Sequence, residues 1–262
     1  MTNFKLLKTA ESRHVHKIFP SPNIEPRLNN LHPKFIILHY TGLETFKRSL
    51  EILSRPDCKV SCHYVVDVDG QIVQMVSEDM RAWHAGVSCW KGETDINSLS
   101  IGIEIQNPGH SLGYPDFPLE QINAVIALCR DIMSRHTMQV QDVLAHSDVA
   151  PSRKIDPGEK FDWERLASEG IGLWVSSAPL DTVDIKTGDD FSALERINEI
   201  RSLLSQIGYC VQSSGALNEE LSFVLRAFQL HFRQELINSH PDFSTLVTLR
   251  KLIEAQRGFE SV

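Results

Sequence analysis

Short apolar runs of strand length alternate along the N-terminal part of this chain with stretches of helical periodicity. That alternation limits the fold more than any other feature. Lys34 to Tyr40, KFIILHY, is a continuous apolar run of the length of a buried strand. Phe46, Leu50 and Leu53 follow at helical spacing. HYVVDVDGQIVQMV then sets two β-rich runs around Asp69 and Gly70, a hairpin signal because such turns need positive φ. In LSIGIEIQN, Ile101, Ile103 and Ile105 alternate with Ser100, Gly102, Glu104 and Gln106, the period of a strand with two unlike faces. Pro118 opens a helix with the stripe Ile122, Ile126, Cys129 and Met133; Arg130, Arg135 and His136 favour its C-terminal end. DVLAH predicts a short strand and FDWERLASEG a short helix stopped at Gly170. Together these predict an α/β or α+β domain over residues 1–175, a mixed central sheet flanked by helices. Its first thirty residues, polar and rich in Pro and Asn, are expected to form an arm lying on the domain.

Residues 176–190, SSAPLDTVDIKTGDD, read as a linker. Beyond them three amphipathic patterns predict a small three-helix domain over residues 191–262. The first carries Leu194, Ile197 and Leu204 and ends at Gly208; the second carries Leu221, Val224, Phe228 and Phe232; the third carries Leu246, Leu249 and Ile253. A chain of 262 residues, 42% hydrophobic and 23% charged, suits one medium and one small globular domain. Its formal net charge of -8 disfavours a nucleic-acid partner, which needs a basic footprint. No apolar stretch is long enough to cross a membrane. The N-terminus, MTNFKLLKTAESRHVHKIF, lacks the apolar run of a secretory signal, which leans towards the cytosol. Five scattered cysteines, an odd number, argue against a disulfide framework.

The candidates for chemistry cluster at predicted strand ends. His39 ends one buried strand and His146 another, where sheet sites collect side chains. Asp156 adds a carboxylate. Two neutral imidazoles and a carboxylate suit zinc, and three protein ligands leave a fourth position open. Glu104 stands on the non-isoleucine side of its strand. It is either an exposed residue of an amphipathic strand or a general base whose pKa is moved by burial and a nearby cation. Cys58, Cys62 and His63, in CKVSCHY, imitate soft metal ligands, but no second pair matches them and they read as small buried thiols. RAWHAG, Arg81 to Gly86, is either core or a pocket wall with polar tips.

Taken in order, ILHYT with His39, SCHYVVDVDGQIVQMV, RAWHAG, SIGIEIQN with Glu104, and AHSDVAPSRKIDPGEKFDW carry a specific likeness. From about Lys34 to Trp174 the sequence resembles the zinc-dependent N-acetylmuramoyl-L-alanine amidases, which share a fold with phage T7-type lysozyme and the peptidoglycan recognition proteins. The resemblance implies Zn2+ as cofactor, held by His39, His146 and Asp156. It implies Glu104 as the catalytic carboxylate and Lys154 as the group that stabilises the transition state. It places Trp83, His84 and Asn107 in segments lining the substrate groove. No departure occurs at the metal or catalytic positions, and Cys62 stands where many relatives have a small residue. LLSQIGY (203–209), ALNEEL (216–221) and LRAFQLHFR (225–233) resemble a three-helix peptidoglycan-binding module, although NSHPDFSTLVTL replaces its usual glycine-aspartate turn.

The implied reaction is hydrolysis of the amide joining N-acetylmuramic acid, or its 1,6-anhydro form, to L-alanine in peptidoglycan or muropeptides, for cell-wall turnover and recycling. Two other readings compete. One is a non-catalytic peptidoglycan sensor, which the full set of His39, His146, Asp156 and Glu104 opposes. The other is an envelope scaffold dominated by the helical module. That module also makes the periplasm or envelope the alternative to the cytosol. Oligomeric state, and the choice between intact murein and soluble products, stay open at this level.

Overall fold

The computed structural model describes residues 7–181 and 192–260. In chain order the elements are β1 (Lys17–Ile18), β2 (Ile24–Pro26), β3 (Phe35–Tyr40), α1 (Phe46–Ser54), β4 (Tyr64–Val66), β5 (Ile72–Gln74), β6 (Met80–Ala82), α2 (Ile96–Leu99), β7 (Ser100–Ile105), α3 (Leu119–His136), β8 (Val143–Ala145), α4 (His146–Val149), α5 (Trp163–Ser168), α6 (Ala193–Ile207), α7 (Glu219–Phe232) and α8 (Phe243–Glu260). Six strands form one sheet in the order β1-β5-β4-β7-β3-β8, and β2 pairs with β6 in a separate two-stranded sheet. The expected mixed sheet with flanking helices is what the chain forms. β3, β4, β7 and β8 run parallel and β5 antiparallel to β4.

β3 lies between β7 and β8 and is buried on both faces, which is why its sequence is apolar without alternation. Ile36 and Leu38 join the cluster beneath α3, whereas Phe35 and Ile37 join the cluster on the opposite side. β7 alternates as expected. Ile101, Ile103 and Ile105 pack against Ile122, Val125, Ile126, Cys129 and Ile132 of α3, leaving Gly102 and Glu104 to the other face. The β4–β5 turn forms where Asp69-Gly70 places it, with Gly70 at φ 83°. α5 ends before Gly170, which takes φ 76° and donates its N–H to the Ala167 carbonyl.

The N-terminal segment does more than lie on the domain. β1 extends the main sheet beside β5, and β2 pairs with β6. Glu11 is a further anchor: it accepts from the backbone N–H of Glu78 (2.8 Å), Gln74 Nε2 (2.6 Å) and Ser77 Oγ (2.5 Å). Sequence pattern misses these strands because two or three residues carry no measurable period.

The three C-terminal helices occur where expected. α6 begins at a capping box of Ser192 and Glu195 and stops at Gly208, and α7 is capped by Asn218. Of the linker expected over 176–190, residues 182–190 lie outside the described residues. The helices share one buried cluster with the sheet domain: Leu204, Ile207, Leu221, Phe228 and Leu249 join Trp90, Leu144, Val149 and Leu173. One expectation about the cysteines fails. Cys89 and Cys210, 121 residues apart, form a disulfide between the two parts of the chain. The pairing is set by the docking of α6 beside Trp90, which no spacing rule encodes. Cys62 is buried as expected, whereas Cys58 is only partly so.

Candidate metal centre and active site

Strand register builds the site. His39 on β3 lies directly opposite Glu104 on β7, and Leu38 lies opposite Ala145 on β8, so that His146 follows at the end of the next strand. Three adjacent parallel strands therefore deliver Glu104, His39 and His146 side by side at their carboxyl ends. His146 is the first residue of the one-turn helix α4 rather than the last of a strand. Asp156 returns from the loop that follows, and its carbonyl accepts the Ser147 N–H at 3.0 Å.

The three donor atoms converge. His39 Nδ1 lies 2.8 Å from His146 Nδ1 and 3.2 Å from Asp156 Oδ2, and His146 Nδ1 lies 2.9 Å from the same oxygen. All three side chains are buried. The hydrogen-bond network fixes which ring nitrogens carry protons. Ser100 Oγ donates to the Ile96 carbonyl (2.6 Å), which leaves it to accept from His84 Nε2 (3.2 Å). His84 Nδ1 then accepts from His39 Nε2 (3.0 Å), and His39 Nδ1 keeps a lone pair. On His146, Nε2 donates to the Ala85 carbonyl (3.1 Å), so its Nδ1 also keeps a lone pair. Two bare nitrogens and a carboxylate oxygen meet at one point, and this group could hold a metal ion.

The electrostatics agree. Burial, reinforced by the neighbouring His146, lowers the His39 pKa to about 4 against the pull of Asp156, so the ring is neutral and able to ligate. Burial alone would raise Asp156, but His146 and His39 outweigh it and hold the carboxyl well below the usual range. Burial followed by the charge of Asp156 pushes Glu104 well above an ordinary carboxyl, with Lys154 opposing. Among the described residues Glu104 Oε2 has no hydrogen-bond partner.

A cavity of about 360 Å³ opens over these groups. Its walls include His39, Glu104, His146, Lys154, Asp156, Trp83 and His84. Asn107, expected in the groove, is absent from that lining. Its Oδ1 accepts the Gly109 N–H (2.9 Å) and its Nδ2 donates to the Pro115 carbonyl (2.9 Å), so its amide shapes the loop after β7. Trp83 reaches the wall with its indole N–H donating to Glu25 (3.2 Å). His84 lies behind His39 over Gly102, whose missing side chain makes room for the ring.

Two residues of the site went unremarked in the sequence. Arg153 donates to the carbonyls of Ala85 (2.9 Å) and Val87 (3.1 Å), tying RAWHAG to the ligand loop; its only signal was its place beside Lys154. Tyr40 stands at the mouth with its hydroxyl hydrogen-bonded to His110 Nδ1 (3.1 Å), and burial followed by Asp156 raises its pKa to about 12. It follows His39 in KFIILHY and reads there as the end of an apolar run.

Parallel strands of a mixed sheet that collect a His–His–Asp group, a shielded carboxylate and a lysine in one cavity form an arrangement suited to the class of metal-site hydrolases. Comparison with known proteins places the chain within that class. Residues 29–159 match the N-acetylmuramoyl-L-alanine amidase family, and the chain belongs to it. The N-acetylmuramoyl-L-alanine amidase AmiD of Escherichia coli is 38% identical over 84% of this chain and 82% of its own length. The 1,6-anhydro-N-acetylmuramyl-L-alanine amidase AmpD of Citrobacter freundii is 33% identical over 60% of this chain and 89% of its own. The structure of E. coli AmiD with its substrate anhydro-N-acetylmuramic acid-L-Ala-D-gamma-Glu-L-Lys superposes with a TM-score of 0.72 at 32% identity, covering 90% of this chain and 93% of that one. AmpDh3 of Pseudomonas aeruginosa gives 0.71 at 31% identity, over 88% and 94%. The chain is thus an enzyme of the amidase class, and the sensor and scaffold alternatives fall away. Among the described residues no helix is long and apolar enough to cross a membrane.

Proposed function

We propose that this protein is a zinc amidase that cleaves the bond between N-acetylmuramic acid, including its 1,6-anhydro form, and L-alanine. The observation that carries the reading is the in-register pair His39 and Glu104 beside the His146–Asp156 group, under one cavity. The donor set suits zinc. Ligands at 2.0–2.1 Å in a tetrahedron lie about 3.3 Å apart, close to the 2.8–3.2 Å separations of these three atoms. Zinc held there supplies Lewis-acid activation of water and of the amide carbonyl.

The remaining steps belong to the chain's own side chains. Glu104 takes the proton from the attacking water and delivers it to the leaving amine of L-alanine. Burial, followed by the charge of Asp156, raises its carboxyl above the ordinary range, the direction that makes the carboxylate a stronger base. Lys154 shares the cavity and stabilises the negative charge that develops on the carbonyl oxygen. Trp83 and His84 form part of the wall against which substrate is placed, and Arg153 keeps that wall in register with the ligand loop. Substrate from both intact murein and soluble muropeptides should be offered to the protein and the products identified by mass spectrometry. Release of free peptide bearing an N-terminal L-alanine is the expected result; an intact lactyl–alanine bond in every substrate would reject the reading.

The Cys89–Cys210 bond supports an oxidising compartment, so we favour the envelope over the cytosolic lean of the sequence. Fractionation of the native protein decides this, and recovery in the cytosol alone would overturn it. Co-sedimentation of the full-length protein with insoluble peptidoglycan tests whether α6–α8 also hold the wall.

A further inference from the structure

The C-terminal helices grip the loop that carries two of the three metal donors. Asp148 lies two residues after His146, within α4, and is buried to 1% exposure. Its carboxylate accepts three hydrogen bonds. One comes from the Ala145 N–H (2.8 Å) at the base of the same turn. The other two come from the far part of the chain, Tyr209 OH (2.6 Å) and His231 Nδ1 (2.8 Å). The His231 ring is also stacked on Trp163 at 3.7 Å between centroids, so it meets the chain on both sides of Asp156. Around it, Arg226 donates to the Pro151 carbonyl (3.1 Å) and Gln234 to the Phe161 carbonyl (2.9 Å). α7 and Gln234, two residues past its end, thus touch the 146–163 segment at four places.

Burying a carboxylate is costly unless it is fully hydrogen-bonded. Of the three bonds that satisfy it here, two come from the C-terminal region, from Tyr209 just past α6 and from His231 in α7. Removing either leaves a buried acceptor short of a donor in the same helical turn as His146, and the turn must shift to recover one.

We propose that Tyr209 and His231 are positioning residues for the metal centre: through Asp148 they hold the turn that presents His146. The inference rests on His146 being a metal ligand, as the proposed function has it. It gives the helical region a role in the hydrolytic site that does not depend on wall binding.

The test is zinc affinity of the full-length protein, by competition with a chromophoric chelator, together with the visible spectrum of the cobalt(II)-substituted form. Tyr209→Phe and His231→Phe each remove one donor. Each is expected to weaken zinc binding about 10-fold or more, the range for residues that orient a ligand from behind, and to change the cobalt spectrum. His231→Asn keeps an N–H near the Nδ1 position and should restore most of the affinity. Leu252→Ala, in the same buried cluster, serves as the control. It should lower the melting temperature while leaving zinc affinity within about twofold, since the donors to Asp148 are intact. Parental zinc affinity and cobalt spectrum in either folded Phe variant would overturn the role of that residue. An equal loss in Leu252→Ala would overturn positioning in favour of general destabilisation. A parental protein that binds no zinc would instead reject the metal assignment beneath both readings.

Discussion

His39 and Glu104 are direct cross-strand neighbours in the parallel pair β3–β7, so the proposed metal ligand and the proposed proton carrier are held by backbone register rather than by loops. A glutamate fixed in this way can be altered without moving the donors beside it. Glu104→Gln preserves volume and removes the ionisable group. Turnover is expected to fall by a factor on the order of 100 or more, with zinc content unchanged and KM little affected. Steady-state kinetics with metal analysis check both halves. Lys154→Met should behave alike, since it removes charge but keeps most of the stem.

Substitution of a donor should have the opposite signature. Asp156→Ala leaves two imidazoles whose Nδ1 atoms are 2.8 Å apart with no anion beside them. Zinc occupancy and activity should be lost together, and the parental protein should lose both on dialysis against a chelator and regain them with zinc. Retention of stoichiometric zinc by the Asp156→Ala variant would show that the donor set is wrong.

Gly102 tests the support behind His39. A Cβ built there would lie 2.4 Å from His84 Cγ, and the residues between which that ring is held, Ser100 and His39, leave it little room to retreat. Gly102→Ala is expected to cost roughly 1–3 kcal/mol of stability through overpacking and to weaken zinc binding through His39. Urea unfolding and a zinc titration measure the two effects separately.

These cases also mark how far the sequence could be read. The donors, Glu104 and Lys154 stand at strand ends or in a loop of unusual composition, and their order along the chain matches a known pattern. The sheet and helices were visible because apolar periodicity of 2 or 3.6 residues survives in runs such as SIGIEI and in α3. What escaped was everything that depends on distant pieces meeting. Gly102 looks like a weak strand residue until His84 is placed over it. Cys89 and Cys210 are unremarkable until α6 docks, and Asp148 reads as one acid among several in a polar loop. Asn107 stands in the segment after β7, and its amide bonds to the loop backbone at Gly109 and Pro115.

Acid stability should report a second cluster, outside the His39–His146–Asp156 group. Burial alone would raise the pKa of Glu78, but hydrogen bonds from His136, Arg135 and Tyr64 outweigh it and lower the pKa to about 2. A carboxyl depressed on folding contributes stability above its unfolded pKa of roughly 4.3, and loses it as pH falls towards the folded value. The contribution is on the order of 2–3 kcal/mol near neutrality and disappears between about pH 4.5 and 2. Glu78→Gln should therefore be less stable than the parent at pH 7, with the gap closing as pH falls through that window. Denaturant unfolding at several pH values measures it; a gap that is constant with pH would reject the cluster's role.

The disulfide offers the last expectation. Cys89 sits beside the bridge between Trp90 and Tyr209, and its backbone N–H donates to the Val149 carbonyl (2.8 Å) at the end of α4. Cys210 follows Tyr209, which holds Asp148. The cross-link closes a loop of 121 residues, so its loss enlarges the unfolded ensemble by an amount worth about 2–5 kcal/mol. The Cys89→Ser/Cys210→Ser double variant should show a lower melting temperature than the oxidised parent. Treating the parent with a reductant should reproduce the shift, whereas the double variant should not respond. Because the buried cluster shared by Trp90, Leu204 and Phe228 stays intact, zinc content at ambient temperature should be retained. If the reduced parent melts at the same temperature as the oxidised one, the bond does not contribute to the stability of the docked helices.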